Sequence, residues 1–305
     1  MAKTLVFFVC ALILGAPPLA RAQSYEGVGI RAQGMAGAFV AVADDATASW
    51  WNPAGLATSL SFADVIVEAG QGGNRGVAFG FPALGLSYYR LHISQIQPQG
   101  STGCAASSRQ DLGAVGIGLP VPGCVDLDQV GAAVGQSIGD HLVVASTLKL
   151  MHARSDTRAD LDLGAMAAFG AVRLGLTVRD VKPPTFGSGD GAVALARRVR
   201  AGVALIAPPR GRLDRLTVAI DADVTSAPID ARDERRLAGG AEAWILGRRV
   251  AVRGGGGMNI VGDGGAFWAF GLSVAPVQRV YLDGAVTRGP VAARDRWGLD
   301  VRVAF

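Results

Sequence analysis

Several stretches of the chain hold residue types that do chemistry elsewhere, and each lacks the surroundings that the chemistry needs. Gly135-Gln136-Ser137-Ile138-Gly139, with His141 close behind, has the G-x-S-x-G spacing of a serine nucleophile. That pattern works where a strand turns sharply into a helix, whereas here the residues after Asp140 alternate as a second strand, so a small-residue hairpin is expected. Gly254 to Gly257 could wrap a phosphate, but no Lys-Ser/Thr pair follows and no helix opens there. Glycines in a strand mark a bend or a close backbone approach instead. Asp44-Asp45 offers two carboxylates without the further oxygens that a calcium site gathers; Asp favours helix starts, so a capping or anchoring role is expected. His92, His141 and His152 have no metal-ligand spacing. No catalytic residue, metal site or cofactor is expected, and the chain is not read as an enzyme.

What remains is to ask which elements the rest of the chain builds. Met1 to Ala22 reads as a secretory signal, with Lys3 as the positive region, Leu5 to Gly15 as the apolar region and Ala20-Arg21-Ala22 as a small-x-small cleavage site. The apolar run is shorter than the ~20 residues of a membrane-crossing helix, and Pro17-Pro18 interrupts it. The signal holds Lys3 and Arg21 and no acidic residue, so its removal lowers the net charge from +4 to +2. That small surplus implies no nucleic-acid partner. Cys104 and Cys124 lie in one loop-like region of an exported chain, where the oxidising envelope favours a disulfide between them.

Half of the residues are hydrophobic, yet after the signal no run of 18 apolar residues occurs. Apolar residues spread over alternating positions instead point to strands. In Trp297-Gly-Leu-Asp-Val-Arg-Val-Ala-Phe305 the odd positions are Trp297, Leu299, Val301, Val303 and Phe305, which places one face in lipid. A strand closed by a terminal Phe305 resembles the signal read by the outer-membrane barrel assembly machinery, an expected partner. Similar strands fall at about 62–70, 75–81, 84–93, 127–137, 141–152, 158–169, 171–179, 198–207, 214–224, 235–246, 248–259, 265–275 and 278–287. With the last strand they number fourteen, an even number as bacterial barrels require. The connections at 82–83, 138–140, 170, 208–213, 246–248 and 275–277 are short. Most of the longer ones fall on the other side, at 94–126, 180–197, 225–234 and 288–295. The fold class expected is therefore an all-β, transmembrane antiparallel barrel of about fourteen strands in the bacterial outer membrane, bathed in its lipid.

Opposite the apolar face, the alternation places Arg173, Arg179, Arg198, Arg200, Asp160, Asp162, Asp221, Asp223, Glu242, Arg253, Asp283, Asp300 and Arg302 in the lumen. A charge on the lipid face costs about 2–4 kcal/mol near the midplane for Arg or Lys, so the register is strongly set. Charges of both signs in comparable number favour an interior cross-linked by ion pairs and occupied by protein. The run Asp230 to Arg236 is read as a solvated outer loop. The 94–126 loop, with an apolar centre at Leu112 to Val121, is read as a lid that first receives hydrophobic ligands or as an extra hairpin above the barrel.

Ahead of the first strand, residues 23–61 differ from the rest: small residues for close packing, with Asp44-Asp45 and Asn52-Pro53 as helix-start and turn signals. The run RAQGMAGAFVAVADDATASWWNPAGLA resembles the N-terminal signature of the FadL-like outer-membrane family, which includes PorV-like proteins. GLTVRDVKPPTFG (Gly175 to Gly187) and the chain's ending are also similar to envelope proteins grouped with TraF. The resemblance implies a fourteen-stranded barrel over 62–305 with an N-terminal hatch in its lumen. It implies passive transport of hydrophobic small molecules or, in PorV-like members, binding of a secretion or assembly partner. Carried onto this chain, it makes Gly34, Gly37, Phe39, Asp44, Asp45, Asn52, Pro53 and Gly55 hatch or gating residues. A plug needed only for barrel stability is the equal alternative.

Overall fold

A strand that alternates apolar and polar side chains must stand between two different media. In the computed structural model, which describes residues 27–58, 63–94, 124–153, 155–187, 193–229, 232–261, 265–289 and 295–305, that boundary is a closed antiparallel barrel of fourteen strands. The wall starts with β1 (Asp64–Gly70), β2 (Arg75–Phe81), β3 (Leu84–Ser94), β4 (Cys124–Ile138), β5 (Leu142–Ala153), β6 (Asp156–Phe169) and β7 (Val172–Arg179). A small hairpin of β8 (Thr185–Phe186) and β9 (Val193–Ala194) follows, then wall strands β10 (Arg198–Ala207) and β11 (Leu213–Asp223). A second hairpin, β12 (Ala227–Ile229) with β13 (Arg232–Glu234), precedes β14 (Arg236–Ile245), β15 (Val250–Asn259), β16 (Ala266–Val277), β17 (Val280–Arg288) and β18 (Arg296–Ala304).

Each wall strand pairs with its neighbours along the chain, and β18 closes on β1 with Val67 opposite Val301 and Glu68 opposite Asp300. All fourteen strands read from alternation are present, with ends displaced by three residues at most. Two features escaped the pattern: the hairpins β8–β9 and β12–β13, whose strands are too short to show a period. Cys104, the Leu112 to Val121 stretch and the segment 1–22 lie outside the described residues, as does the side chain of Cys124, so the disulfide and lid expectations fall there too.

The outer face is apolar around the barrel, with Leu86, Leu148, Leu205, Ile220, Leu272 and Leu299 all about half exposed or more. An unbroken apolar surface of this extent has one compatible medium, lipid, and the chain is an outer-membrane β-barrel. Among the described residues no helix is long and apolar enough to cross a membrane; the strands do the crossing. At the end that carries Phe305 the strands are joined through 82–83, 139–141, 170–171, 208–212, 246–249 and 278–279. The opposite end carries 95–123, 180–197, 224–235 and 289–295. Short periplasmic turns and longer outer loops are the rule for such barrels, which puts the Phe305 end in the periplasm.

Leu148, midway along β5 on the lipid face, tests this placement. Leu148→Arg is expected to lower unfolding stability in lipid vesicles by about 2–4 kcal/mol. A denaturant titration that finds no loss would mean that this face does not meet hydrocarbon.

Candidate functional site

The lumen is the candidate site, and it is filled by the chain's own N-terminal segment. Glycines and a proline keep that segment from forming one long helix. It consists of α1 (Ile30–Gly34), α2 (Ala48–Trp51) and α3 (Gly55–Thr58), joined by turns. After α1 the backbone reverses through Ala36 and Gly37, both at positive φ. Every residue from Val28 to Leu56 is buried except Asp44, which is partly exposed. The segment enters beside Asn74 and Arg296 at the outer rim, where Gly27 lies. It leaves at the periplasmic rim, where the Ala83 N–H donates to the Leu56 carbonyl. It therefore threads the whole length of the barrel.

Such threading needs a wall that the segment's backbone can touch. A Cβ on Gly175 would lie 2.5 Å from the Val40 carbonyl oxygen, and one on Gly240 would lie 2.5 Å from that of Met35. Gly255 meets Met35 as closely, which gives part of the Gly254 to Gly257 run its reason: close approach, as its residue types suggest. The Gly135 to Gly139 run likewise ends β4 and turns into β5, a hairpin with Gly139 at positive φ.

Charge holds the segment in register. Arg31 donates bidentately to Glu242 of β14, at 2.6 and 2.7 Å, and its other amino group contacts Asp44 and Asp45. Asp44 in turn binds Arg215 of β11 at 2.7 Å. Glu242 is shared with Arg253 at 2.6 Å, and Arg253 continues to Asp283 at 2.9 Å. A single ionic chain thus links the segment to β11, β14, β15 and β17. Bidentate guanidinium pairs of this kind fix orientation as well as distance.

Wall carboxylates also accept from the segment's backbone. Asp221 takes the N–H groups of Phe39 and Val40 at 2.7 and 2.8 Å, and Glu68 takes that of Gly29 at 2.8 Å. Asn52 donates to Val40 and to Ala165 of β6 and caps Ala54 N–H, while Pro53 packs over Gly164. Gly55 abuts the Ala43 carbonyl, and Gly34 lies against Gly271.

The other charges read from alternation are also turned inward. Arg200 pairs with Asp223 at 2.6 Å, and Arg179 lies 3.9 Å over the Trp50 ring. Arg302 stacks 4.2 Å from the Tyr281 ring centroid. Asp300 is buried between its cross-strand neighbours Glu68 and Asp283, and Arg173 and Arg198 are half-buried.

Sequence reasoning left out Arg31, Arg215, Lys149 and Asp180 as charged site residues, and Trp50 as the ring that meets the wall at Tyr89. Lys149 Nζ lies 2.6 Å from Asp162, 2.6 Å from Asp180 and 3.3 Å from Asp160. The three carboxylates converge as metal ligands do, but the ammonium stands among them, and Arg179 lies 3.8 Å from Asp162. Lys149 was readable, since it alternates in step with the inward Thr147 and Met151. Asp180 follows the last residue of β7, where the strand period stops.

Apolar side chains of the wall form two clusters: Ile66, Leu91, Val143, Met166 and Phe267 pack with the segment, and a smaller cluster stands apart from it. At the outer end of β4 and β5, Leu127, Met151 and Ala153 point inward, and Phe186 of β8 closes over them with Leu195 alongside. In the register Leu127 and Ala153 share a row with Leu91, and Met151 belongs to the next row toward the periplasm, with Gln129 and Tyr89. Tyr89 meets Trp50 edge to face, with ring centroids 5.3 Å apart. The Trp50 indole N–H has no hydrogen-bond partner.

No protein-family model and no curated protein sequence matches the chain. Solved structures do resemble it. CymD, described as a monoaromatic hydrocarbon channel, superposes with a TM-score of 0.63 at 12% identity, over 93% of this chain and 99% of that one. The Ralstonia pickettii toluene transporter TbuX gives 0.51 at 13% identity, over 92% and 97%. At such identities the likeness establishes the fold.

Removing Arg31 strands Glu242 and Asp44 without their shared cation. Arg31→Met is expected to cost about 3–5 kcal/mol in denaturant unfolding, and Arg31→Met/Glu242→Met to lose less than the single variant. Equal losses would show that the pair is not coupled. Gly175→Val is expected to leave the barrel formed but to expose residues 28–56 to added protease. Full protection of that segment would mean that contact with the wall at Val40 is not what seats it.

Proposed function

We propose that the protein passes small hydrophobic molecules, of the size of monoaromatic hydrocarbons, passively across the outer membrane. The observation that carries this reading is the apolar cluster at the outer mouth, which is separate from the larger apolar cluster that the N-terminal segment packs against. Leu127, Met151, Ala153 and Phe186 are packed closed, at 3% exposure or less, and displacement of Phe186 would open to a hydrophobic solute a site that the segment does not already fill. Removing one ring's apolar surface from water supplies the driving force, at roughly 25 cal/mol per Å². CymD and TbuX, two solved structures of the same fold, are named for monoaromatic hydrocarbons and toluene, which supports the same substrate class here.

A solute leaving that sector meets the Tyr89 and Trp50 rings next, so the step that admits it is a rearrangement of the segment around α2. Gly34, Gly37, Phe39 and Asp44 to Asp45 belong to the firmly anchored part, held by Asp221, Glu242 and Arg215. Asn52, Pro53 and Gly55 flank the part that would move. Flow is downhill and needs no cofactor.

A second reading draws on a different observation, the burial of nearly all of Val28 to Leu56. A segment so enclosed also suits a PorV-like envelope protein that transports nothing and binds a secretion or assembly partner through its outer face. Uptake of a labelled monoaromatic hydrocarbon by bacterial cells lacking their own channel separates the two. Expression of this chain is expected to raise the initial rate several-fold, and Phe186→Ser to lower the gain. An unchanged rate, together with a protein that co-purifies stoichiometrically, would favour the second reading.

A further inference from the structure

The periplasmic rim carries its positive charge on one side only. Exposed arginines occupy three consecutive turns: Arg210 and Arg212 between β10 and β11, Arg248 and Arg249 between β14 and β15, and Arg279 between β16 and β17. The remaining turns, at 82–83, 139–141 and 170–171, hold no Lys or Arg, and one of them holds Asp140. Next to the arginine-bearing turns the lipid-facing surface is apolar, with Leu205 51%, Val252 50% and Val274 41% exposed. Guanidinium groups at the edge of an apolar belt lie at the level of lipid phosphates.

A cavity of about 500 Å³ opens at the edge of this arc, between it and the uncharged turn at 170–171. Ile206, Pro208 and Pro209 line it together with Arg215, Arg248 and Asp214. Asp214 accepts the backbone N–H of Arg248 at 2.8 Å, and Arg215 holds Asp44. The Arg248 guanidinium lies 5.8 Å from the Trp244 ring centroid. An apolar wall facing planar cations suits a phosphate diester that keeps hydrocarbon beside it, because guanidinium presents paired N–H donors to phosphate oxygens.

We infer that this arginine arc binds anionic phospholipid headgroups of the periplasmic leaflet, with the cavity seating one phosphate. The arc holds the barrel at a set depth and rotation in its leaflet, whatever solute crosses the lumen. Native mass spectrometry of the detergent-released full chain, offered phosphatidylglycerol or phosphatidylcholine with matched acyl chains, tests this. Phosphatidylglycerol is expected to be retained about tenfold more, and Arg210→Gln/Arg212→Gln/Arg248→Gln/Arg249→Gln to abolish the preference. A control with Arg75, Arg158, Arg197 and Arg288 changed to Gln at the outer end is expected to keep it. Should the rim variant lose its folded migration on unheated gels, Arg248→Gln/Arg249→Gln takes its place and is expected to reduce the preference at least threefold. Equal retention of the two lipids, or an equal effect of rim and control variants, would overturn the inference. Displacement of the bound lipid by inorganic phosphate would also overturn it, by showing a site for free phosphate.

Discussion

In hydrocarbon a backbone N–H or carbonyl has no water to turn to, so a sheet that crosses the membrane must leave no edge. That constraint forces β1 onto β18, and closure sets the width of everything inside. Fourteen strands enclose a lumen wide enough for a folded segment yet narrow enough for that segment to touch the wall on all sides. The inward glycines are the adjustment between the two. Where Met35 and Val40 approach, the wall presents Gly240, Gly255 and Gly175, and any side chain there would occupy the segment's backbone.

The interior answers the problem of charge in a confined space by sharing. Glu242 serves both Arg31 and Arg253, and Asp44 serves Arg31 and Arg215. Each carboxylate gains two partners, and its removal from bulk water is offset by geometry as well as by attraction. Asp221 and Glu68 use backbone N–H groups instead, which ties their wall strands to the segment without a cation. The segment is thus part of the barrel's electrostatic balance as well as its filling.

Beside the ion pairs and the apolar wall that packs against the segment, the cluster at Leu127, Met151, Ala153 and Phe186 is the separate place where the proposed solute would gain by leaving water. It lies above the Trp50 and Tyr89 rings and away from the Arg31 chain, so the proposed capture and the anchoring fall on different sectors of the wall. The periplasmic rim repeats the division in another form, with arginines on the turns from β10 to β17 and none on the others.

By itself the sequence determined the wall. Alternation along Trp297 to Phe305 and its thirteen counterparts states which side chains face lipid, and the cost of a misplaced Arg leaves one register open. It also marked residues 27 to 57 as a separate kind of segment and turned Asp221, Glu242 and Arg253 inward. What it could not supply was pairing across the lumen. Arg31 and Glu242 are 211 positions apart, and Lys149 gathers carboxylates from β6 and from beyond the end of β7. Such contacts depend on barrel width and on the path of the threaded segment, neither of which a local period encodes. Phe186 belongs to a two-residue strand with no period at all, and it finds Leu127 and Met151 because the loop folds back over the closed rim. The face that each residue presents was therefore a property of the sequence, while the partner it meets there was decided by closure.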